Sequence, residues 1–414
     1  MTAPAAARTN LSPAVVVAVL AVLLGLQPVA TDLYLPALPS LPGALNTTVA
    51  AAQLTLSALI FCFGLAQLVC GPLADRFGRR PVLVGGLALF TLASVLAALA
   101  PSIESLVGWR ALQGAALAAA VTCGRSIVRD LYAPAEGARV MARSLGALGL
   151  IAFACPLLGG AIAFWFDWRA ALGCVALLGA AALAFIAAQF EETLATRNAD
   201  ATRLQPLLAN WRQILGDSTF RAFASLLSMT YAGLFILLAA TSFVFSDVLG
   251  LSRFASGAIL ASNSIFYVLG TLLCRRLLAR HGLRHTVAVG GALSLAGGLG
   301  TAAMSLLGAH QVTVWSLIAP AWLYMLGHGI HQPCGQAGAV GPFPDKAGTA
   351  ASLSGFLMMV VAFGVGLLLG RSLNGSVYPL TLGLAGFGCA TAAVAWTLVQ
   401  RHGDPTPTAL AQPV

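Results

Sequence analysis

The sequence is short of charge. Only 8% of its 414 residues are charged, against roughly 25% in an average soluble domain. Hydrophobic residues make up 59%, so too few charged side chains remain to cover a soluble surface of this size. The shortage excludes a soluble enzyme, a disordered chain and a disulfide-rich scaffold. A helical membrane protein remains, because the apolar runs are continuous and lack the polar alternation of outer-membrane barrel strands.

The chain also lacks cysteine motifs and has hardly any lysine. Its eight cysteines have no CxxC spacing and lie in or beside apolar segments, so we interpret them as packing residues and expect no metal site and no cofactor. Lys346 is the only lysine among 22 basic residues, and the net charge is +9. In a membrane protein this excess is typical of positive charge kept on the cytoplasmic side, so we expect no nucleic-acid partner.

Apolar segments long enough to cross a bilayer occur twelve times. A membrane helix needs about 20 mostly apolar residues. The first run is too long for a cleavable signal peptide, so we expect it to be the first span. The candidates lie near residues 14–38, 51–74, 81–100, 103–124, 140–166, 168–190, 220–247, 254–274, 286–308, 312–335, 348–371 and 377–400. The sequence therefore predicts an all-α membrane protein with twelve transmembrane helices.

The distribution of basic residues predicts the orientation. With the N-terminus inside, 18 of the 22 basic residues fall in inner loops or near the inner ends of spans. Only Arg169, Arg253 and Arg371 fall in outer loops, and Arg110 lies inside a span. Cytoplasmic loops of membrane proteins carry an excess of Lys and Arg. We therefore expect a multi-pass protein of the bacterial inner membrane with both termini in the cytoplasm.

The polar segment 191–219 divides the spans into two groups of six. We expect a six-helix bundle at 1–190, a cytoplasmic linker at 191–219, a second bundle at 220–400 and a cytoplasmic tail at 401–414. Within the linker, Pro206–Leu215 is either a short amphipathic helix on the membrane surface or a tether between the halves. The tether is the interpretation that we prefer.

Two sequence patterns recur across the halves. The WRALQG segment of span 4 and the WLYMLG segment of span 10 begin at Trp109 and Trp322, an offset of 213. Weak self-similarity at half-length is typical of duplicated transporters. The second copy has lost its charge, since Leu323 stands where the first copy has Arg110. The other pattern follows spans 2 and 8 at an offset of 204, where Arg76, Gly78 and Arg80 match Arg280, Gly282 and Arg284.

Several segments resemble the Major Facilitator Superfamily. GPLADRFGRRP from Gly71 to Pro81 is similar to its loop signature, and RALQG from Arg110 to its fourth-span signature. CPLLGG from Cys155 resembles the fifth-span pattern of its antiporters, although Cys155 stands where many antiporters have glycine. TDLYLPALP from Thr31, QLTLS from Gln53 and RSIVRD from Arg125 narrow the resemblance to the bicyclomycin-resistance (Bcr/CflA) branch of drug–proton antiporters. The resemblance implies the major facilitator fold of two six-helix bundles.

The loop after span 2 has both a physical and a family interpretation. A glycine at 78 permits a tight turn between two helices, and its arginines favour the anionic inner leaflet. Asp75 is either a solvated carboxylate or, as the resemblance implies, part of a latch that pairs with Arg125, Arg129 or a helix N-terminus near residue 348. We favour the latch. It comprises Gly71, Asp75, Arg76, Gly78, Arg79, Arg80, Arg125 and Arg129.

Pro156, Gly159 and Gly160 lie inside span 5. Proline removes a helical hydrogen bond, and glycines allow close approach of helices, so ordinary packing would explain these residues. The resemblance to antiporters implies instead a bend that seals the resting protein against proton leak.

Asp32 and Arg110 are the candidates for proton coupling. At 1.5 Å of rise per residue, they lie about 9 Å and about 10 Å below the outer ends of spans 1 and 4. Ionisable groups at such depth face a cavity or a partner, because exposure to lipid is costly. We expect Asp32 to carry the proton and Arg110 to adjust the pKa of Asp32. The alternative is that span 1 ends at Ala30 and leaves Asp32 at the outer interface.

Other polar and aromatic residues in the spans are candidates for a substrate cavity: Tyr34, Gln53, Gln113, Tyr231 and Phe235. Aromatic residues in membrane proteins also serve packing and the interface belts, so that alternative stays open. His328 and His331 form an i,i+3 pair in span 10. They form either a second proton relay or a metal site, or their ring nitrogens bond to backbone groups or water. The last interpretation is the one that we prefer.

The function favoured by these observations is a drug:proton antiporter that exports small, largely apolar antibiotics of the bicyclomycin or chloramphenicol type by alternating access. Its expected partners are the drug, protons and the lipid bilayer, and the protein is expected to be a monomer. The alternative is a proton-coupled carrier of a small metabolite such as an amino acid, dipeptide or sugar. We expect no enzyme, because the HExxH and GxSxG motifs and paired intramembrane aspartates are absent. A receptor would lack a soluble output domain.

Overall fold

The computed structural model describes residues 13–132, 134–305 and 312–403. These residues are almost entirely helical and include no strand. The α-helices are α1 Pro13–Thr31, α2 Leu41–Ala44, α3 Val49–Phe77, α4 Arg79–Ala98, α5 Ile103–Leu131, α6 Pro134–Trp165, α7 Trp168–Gln189, α8 Leu204–Gly216, α9 Ser218–Phe243, α10 Arg253–Ser305, α11 Val314–Val340, α12 Ala347–Ser372, α13 Tyr378–Trp396 and α14 Leu398–His402.

The number of spans agrees with the hydropathy pattern. Within the described ranges, ten helical segments are long and apolar enough to cross a membrane. One of them is α10, whose 53 residues contain two helices that meet at the non-helical Gly282. Helix α11, with 27 residues, is also long enough to cross. Counting α10 twice and adding α11 gives the twelve expected spans.

Polar residues fix where several spans begin. Asp167 accepts a hydrogen bond from the backbone N–H of Ala170 at the start of α7, and Asp217 accepts one from Phe220 at the start of α9. Capping boxes built on Ser102 and Thr313 start α5 and α11. Such caps satisfy N–H groups that have no partner inside the helix. The short loops between spans therefore end at sharply defined helix starts.

The first span is not a regular α-helix over its whole length. Regular α-helix ends at Thr31, and the chain then passes through a turn into a 3₁₀ helix at Leu35–Ser40. Pro36 and Pro39 lie in this segment and cannot donate the backbone hydrogen bonds that a continuing α-helix requires. The predicted span to residue 38 falls inside the candidate membrane span Ala14–Ala44, and only its last turns are 3₁₀ helix rather than α-helix.

The linker contains α8. Helix α8 covers Leu204–Gly216, and only Ile214 on it is buried. Of the two alternatives for Pro206–Leu215, the short helix is the one observed. Its place on a membrane surface stays a prediction.

The halves make contact through two pairs of long helices. Within the first half, α5 packs on α3 and α4; within the second, α10 packs on α11 and α13. Helix α3 of the first half packs on α12 of the second, and α6 packs on α10. Large apolar side chains such as Leu150 and Leu177 are 74% and 70% exposed. Because exposed apolar side chains are stable in lipid, these positions indicate the membrane-facing surface.

Candidate functional site

Asp32 lies where α1 stops being a regular helix. Its backbone N–H and that of Leu33 both donate to the carbonyl of Pro28, at 2.7 and 3.3 Å. The Asp32 carboxylate accepts a hydrogen bond from the Thr31 hydroxyl at 2.7 Å, and the residue is half-buried. The residues from Leu33 to Leu38 are buried. Asp32 therefore lies within the bundle, and the alternative of an exposed outer position does not apply.

Arg110 is fully buried on α5. Its Nη1 donates to Oε1 of Gln113, and its Nη2 donates to the carbonyl of Ala30 at 2.9 Å. The guanidinium carbon lies 4.5 Å from the centre of the Tyr34 ring, which is within the range of a cation–π interaction. Arg110 therefore links α5 to the end of α1 through backbone and neutral groups.

Asp32 and Arg110, the two candidates for proton coupling, do not form an ion pair with each other. Three ion pairs occur among the described residues, and none includes either side chain. The physical reason is that Arg110 directs its donors to Ala30 and Gln113, whereas the Asp32 carboxylate bonds to Thr31. Asp32 follows α1 and Arg110 lies on α5, and their side chains have different partners.

Tyr34 and Gln113 belong to the network around Arg110. The Tyr34 hydroxyl lies 3.0 Å from the Thr55 hydroxyl. The Gln113 amide donates to the Ser94 hydroxyl at 2.5 Å. Both residues are fully buried inside the first half. In this conformation Tyr34 and Gln113 contact Arg110, and their place in a substrate cavity stays a prediction.

Gln53 and Phe235 lie at the interface between α3 and α12. A Cβ at Gly370 of α12 would lie 3.4 Å from that of Gln53, and one at Gly366 would lie 3.0 Å from the Phe235 ring. Gln53 is fully buried, and neither atom of its amide has a hydrogen-bond partner within the described chain. Buried polar groups are normally satisfied. Gln53 therefore offers an unused donor and acceptor at the contact between the halves.

Tyr231 of α9 reaches the first half close to Asp32. Its hydroxyl lies in hydrogen-bonding range of the Gln27 side chain of α1, and it interacts electrostatically with Asp32. The thiol of Cys155 in α6 also lies within electrostatic range of Asp32. Side chains of α6 and α9 thus lie within electrostatic range of the Asp32 carboxylate, and α9 belongs to the second half.

The residues of the expected antiporter bend make backbone contacts on two sides of α6. A Cβ at Gly159 would collide with the carbonyl of Leu33, directly after Asp32. A Cβ at Gly160 would lie 2.7 Å from the carbonyl of Arg253 and 3.1 Å from Gly257, and Gly257 approaches the carbonyl of Pro156. Helix α6 continues as α-helix through Pro156. Its glycines therefore bring the Asp32 segment and the start of α10 against one helix.

Arg253 strengthens the same contact between α6 and α10. Its Nη1 donates to the carbonyl of Ala163 at 2.9 Å, near the C-terminal end of α6. Arg169, another basic residue assigned to an outer loop, donates to the carbonyl of Ala100 at 3.2 Å. Unpaired carbonyls at helix ends are natural partners of arginine. These exceptions to the inner location of arginine therefore have structural contacts that the sequence did not reveal.

Asp75 does not pair with the residues expected of a latch. Its carboxylate forms an ion pair with Arg79 at 2.6 Å, and Arg79 also pairs with Asp130 at 2.9 Å. The expected partners Arg125 and Arg129, and the helix N-terminus near residue 348, are therefore wrong for this conformation. The reason is that α4 starts directly after Gly78, which brings Arg79 back beside the end of α3. The ion pairs observed at this loop join Asp75, Arg79 and Asp130.

Glu192 follows α7 and contacts this loop, and sequence reasoning missed its role. Its carboxylate accepts hydrogen bonds from the backbone N–H groups of Arg79 at 2.9 Å and Arg80 at 3.2 Å. A carboxylate at a helix N-terminus is favoured both by hydrogen bonding and by the helix dipole. The available signal was the position of Glu192, two residues after the sixth span ends at 190.

Arg80 and Arg76 connect the loop to the end of α7 and to the linker. Arg80 donates to the carbonyls of Phe190 at 2.8 Å and Ala187 at 3.0 Å. Arg76 donates to the Thr202 hydroxyl at 2.5 Å. The loop between α3 and α4 therefore fastens the linker to the first half.

Two adjoining cavities lie between the halves at the end that carries this loop. The smaller has a volume of about 260 Å³ and is lined by Arg125 and Arg129 of α5 and by Gly348 of α12. The larger, of about 580 Å³, is lined by Gly71 and Asp75 of α3 and by residues of the linker. A Cβ at Gly71 would meet only ordinary contact, 3.6 Å from Thr122. Arg125, Arg129 and Gly71 thus line a cavity and do not contact Asp75 as a latch.

His328 and His331 are buried in α11. The Nδ1 of His328 lies 3.0 Å from the Thr230 hydroxyl, and the Nε2 of His331 lies 3.2 Å from the carbonyl of Val287. The backbone partner of His331 agrees with the preferred interpretation, whereas the partner of His328 is a side-chain hydroxyl. The Nδ1 of His331 has no partner among the described residues. No group of three metal-ligating side chains occurs in the part of the chain that the structure describes.

Comparison with known proteins places the chain in one family. The family model of the Major Facilitator Superfamily matches residues 20–366. A chloramphenicol resistance protein of Pseudomonas aeruginosa is 32% identical over 343 residues, which cover 82% of this chain and 79% of that protein. Multidrug resistance protein D of Escherichia coli strain K12 is 30% identical over 345 residues, covering 82% and 84% of the two chains. A bicyclomycin resistance protein homolog of Haemophilus influenzae is 24% identical over 351 residues, covering 85% and 86%.

Solved structures show the same architecture. The crystal structure of a D-xylose–proton symporter superposes with a TM-score of 0.73 at 16% identity, covering 95% of this chain and 99% of the symporter. A human organic anion transporter superposes with a TM-score of 0.69 at 21% identity. At these identities the similarity shows the fold.

Proposed function

Since the chain belongs to the Major Facilitator Superfamily, in its bicyclomycin-resistance branch, we propose that it is a drug:proton antiporter that exports small, largely apolar antibiotics. Its relatives carry names of chloramphenicol, multidrug and bicyclomycin resistance. The family and its structural neighbours are transporters, which favours carriage of a small molecule over catalysis. Bicyclomycin and chloramphenicol are the first substrates to test.

One observation carries the proposal. Asp32 is a half-buried carboxylate inside the bundle, it has no cationic partner among the described residues, and it lies near Tyr231 of the opposite half. Burial in a membrane is far less costly for a neutral acid than for a carboxylate. A movement of the halves that changes the exposure of Asp32 would therefore change its proton occupancy.

The mechanism follows from this position. Asp32 takes up a proton from outside, and the change in its charge alters its interaction with Tyr231 and the chain of α9. The drug enters the space between the halves and binds while Asp32 is charged. Drug binding and protonation of Asp32 therefore exclude each other. Gln53, Tyr231 and Phe235 contact the drug from both halves. Arg110 acts as a fixed positive charge behind the Ala30 carbonyl, and Tyr34 and Gln113 position it.

The antiporter bend and the latch control which end of the protein opens. Gly159 and Gly160 let α6 pack directly on the Leu33 backbone and on α10. This close packing would exclude water and ions from the outer side of Asp32 and so prevent proton leak. The Asp75–Arg79–Asp130 latch stabilises the opposite end in one of two conformations.

The proposal includes an orientation and a division into domains. The end that carries the Asp75 loop faces the cytoplasm of a bacterial inner membrane, with both termini on that side. The halves 1–190 and 220–400 rock about the space between them, with 191–219 as linker and 401–414 as tail. The protein works as a monomer, with the bilayer as its surroundings.

The test compares Asp32→Asn with the matched control Asp247→Asn. Asp247 is an exposed acid after α9 and lies outside the candidate site. In everted vesicles, chloramphenicol or bicyclomycin should release protons from the intact protein and from the Asp247 variant. The Asp32 variant should lose both drug-induced proton release and proton-driven drug uptake into the vesicles. In a pump-deficient host it should also lose resistance to the drug.

Undiminished proton release by the Asp32 variant would refute the proton-carrying role. Release that is lost in both variants would show a general effect of removing acids from the protein. If no drug moves but a proton gradient drives movement of an amino acid, dipeptide or sugar, the metabolite carrier replaces the exporter.

A further inference from the structure

The smaller cavity between α5 and α12 is lined by two cations and by no acid. Arg125 and Arg129 lie four residues apart on one face of α5, and both are accessible to solvent. The remaining lining residues are neutral: Thr122, Ser126, Val340, Ala347, Gly348, Ala351 and Ser352. Like charges at this spacing repel each other. The empty cavity therefore carries an electrostatic cost that a bound anion would remove.

Neither arginine has a partner of its own. Within the described residues, no hydrogen bond or ion pair engages Arg125 or Arg129, whereas Arg79 in the same region has two carboxylates. Asp75, which was the predicted partner of these two arginines, is paired with Arg79. Among the described residues, the charges of Arg125 and Arg129 are therefore not matched by an ion pair.

The opposite wall of the cavity also favours negative charge. Helix α12 starts at Ala347, its N-cap residue Lys346 supplies no side-chain cap, and Gly348 leaves the first turn open to the cavity. The Nη1 of Arg129 lies 3.2 Å from the position that a Cβ on Gly348 would occupy. The N–H groups of a first helical turn and a nearby guanidinium are the usual partners of phosphate oxygens. Three hydroxyls, those of Thr122, Ser126 and Ser352, add further donors.

We propose that this cavity binds a phosphate-type oxyanion, held by Arg125 and Arg129 of the first half and by the N-terminus of α12 of the second half. Its volume of about 260 Å³ compares with roughly 30 Å³ for a water molecule in the liquid, so a phosphate group fits with several waters. The oxyanion is the headgroup phosphate of an anionic lipid or free phosphate. Because its walls come from both halves, the anion contacts both when it is bound.

The experiment measures binding on the full chain in a neutral detergent, without any transport assay. In one arm, inorganic phosphate is titrated against chloride at equal ionic strength, and the melting temperature is recorded. In the other, native mass spectrometry compares adducts of phosphatidylglycerol with those of phosphatidylcholine. Stabilisation by phosphate identifies free phosphate as a ligand. Preferential retention of phosphatidylglycerol without stabilisation by phosphate identifies the lipid headgroup.

The variants locate the site. The double variant Arg125→Gln, Arg129→Gln should weaken binding by at least about tenfold, since it removes both charge-assisted partners. The matched control is Arg139→Gln, Arg143→Gln, a second pair of exposed arginines four residues apart, on α6 and outside the cavity. The control should bind as the intact protein does.

Equal loss in both double variants would overturn the proposal, as would the absence of both phosphate stabilisation and lipid preference in the intact protein. If the glutamine variant does not fold, Arg125→Lys with Arg129→Lys keeps the charges but loses the planar, two-pronged geometry. That variant should still bind the oxyanion more weakly than the Arg139 and Arg143 control, and unchanged binding would contradict the site.

Discussion

The loop between α3 and α4 and its repeat inside α10 have the same backbone turn but different surroundings. Gly78 and Gly282 both have positive φ, 107° and 73°, which side chains other than glycine rarely adopt. A Cβ at Gly78 would collide with Glu192, whereas one at Gly282 would meet nothing within 4 Å. The duplicated positions therefore keep the turn, and only the first is enclosed by other parts of the chain.

The contacts of the first copy include ion pairs and a capping carboxylate. Arg79 pairs with two aspartates, and Glu192 caps α4. The described contacts of the second copy include the Gln400 amide, which donates to the carbonyl of Arg284 at 3.1 Å. Arg110 and its counterpart Leu323 differ in the same way, since Arg110 is fully buried and Leu323 is 38% exposed. The difference teaches that a repeat can conserve backbone geometry while the side-chain surroundings of its two copies diverge.

The largest effect of breaking this asymmetry is expected at Arg110. Arg110→Leu leaves the Ala30 carbonyl and the Gln113 amide without their donor, and each unsatisfied buried group costs about 1–3 kcal/mol. We expect the free energy of unfolding in detergent to fall by about 3 kcal/mol. Leu323→Ala removes a side chain that is partly exposed, and it should cost about 1 kcal/mol or less. Equal losses would show that the buried charge is not what distinguishes the halves.

The next largest effect is expected at the two glycines. Gly282→Ala should cost about 1–2 kcal/mol, the strain of a left-handed residue with a side chain. Gly78→Ala carries the same strain and also displaces the Glu192 carboxylate, so its cost should be greater by about 1–2 kcal/mol. Thermal unfolding of both variants measures the difference. A larger cost at Gly282 would contradict the enclosed and open surroundings described for the two loops.

The smallest effect is expected from the contacts that hold each loop. Glu192→Gln removes the charge that caps α4 and should destabilise the loop by about 1 kcal/mol, more at low salt than at high salt. Gln400→Leu removes a neutral hydrogen bond of about 1 kcal/mol with no dependence on salt. Hydrogen exchange of the amides of Arg79 and Arg80, and of those after Gly282, measures each effect at low and high ionic strength. A salt-independent effect at Glu192 would contradict the distinction between a charged contact at the first loop and the neutral hydrogen bond of Gln400.

Much of the fold follows from patterns that are local in sequence. Hydropathy gave the twelve spans, and the offset of 204 residues anticipated the shared positive φ of Gly78 and Gly282. The end of α1 could not be placed, because a long apolar run does not reveal where hydrogen bonding changes from α to 3₁₀. Pro36 and Pro39 were the available signal.

The candidate site was harder, because partner choice depends on the positions of several helices at once. Arg79, Arg125 and Arg129 were all possible partners for Asp75, and only the return of the chain at Gly78 selects the first. The helical rise per residue placed Asp32 and Arg110 at the same level along the membrane normal. Equal depth does not fix the rotation of each helix about its axis. The Arg110 guanidinium donates to the Ala30 carbonyl and not to Asp32.

The neutral surroundings of Arg110 have a consequence for the kinds of compound that can approach it. A permanent cation without a carboxylate beside it produces a repulsive field for ammonium drugs in a medium of low dielectric constant. That field is partly cancelled while Asp32 is ionised and is unopposed once Asp32 is neutral. Under the proposed function, neutral antibiotics would be indifferent to this field, and selectivity against positively charged compounds should increase as the outside becomes more acidic.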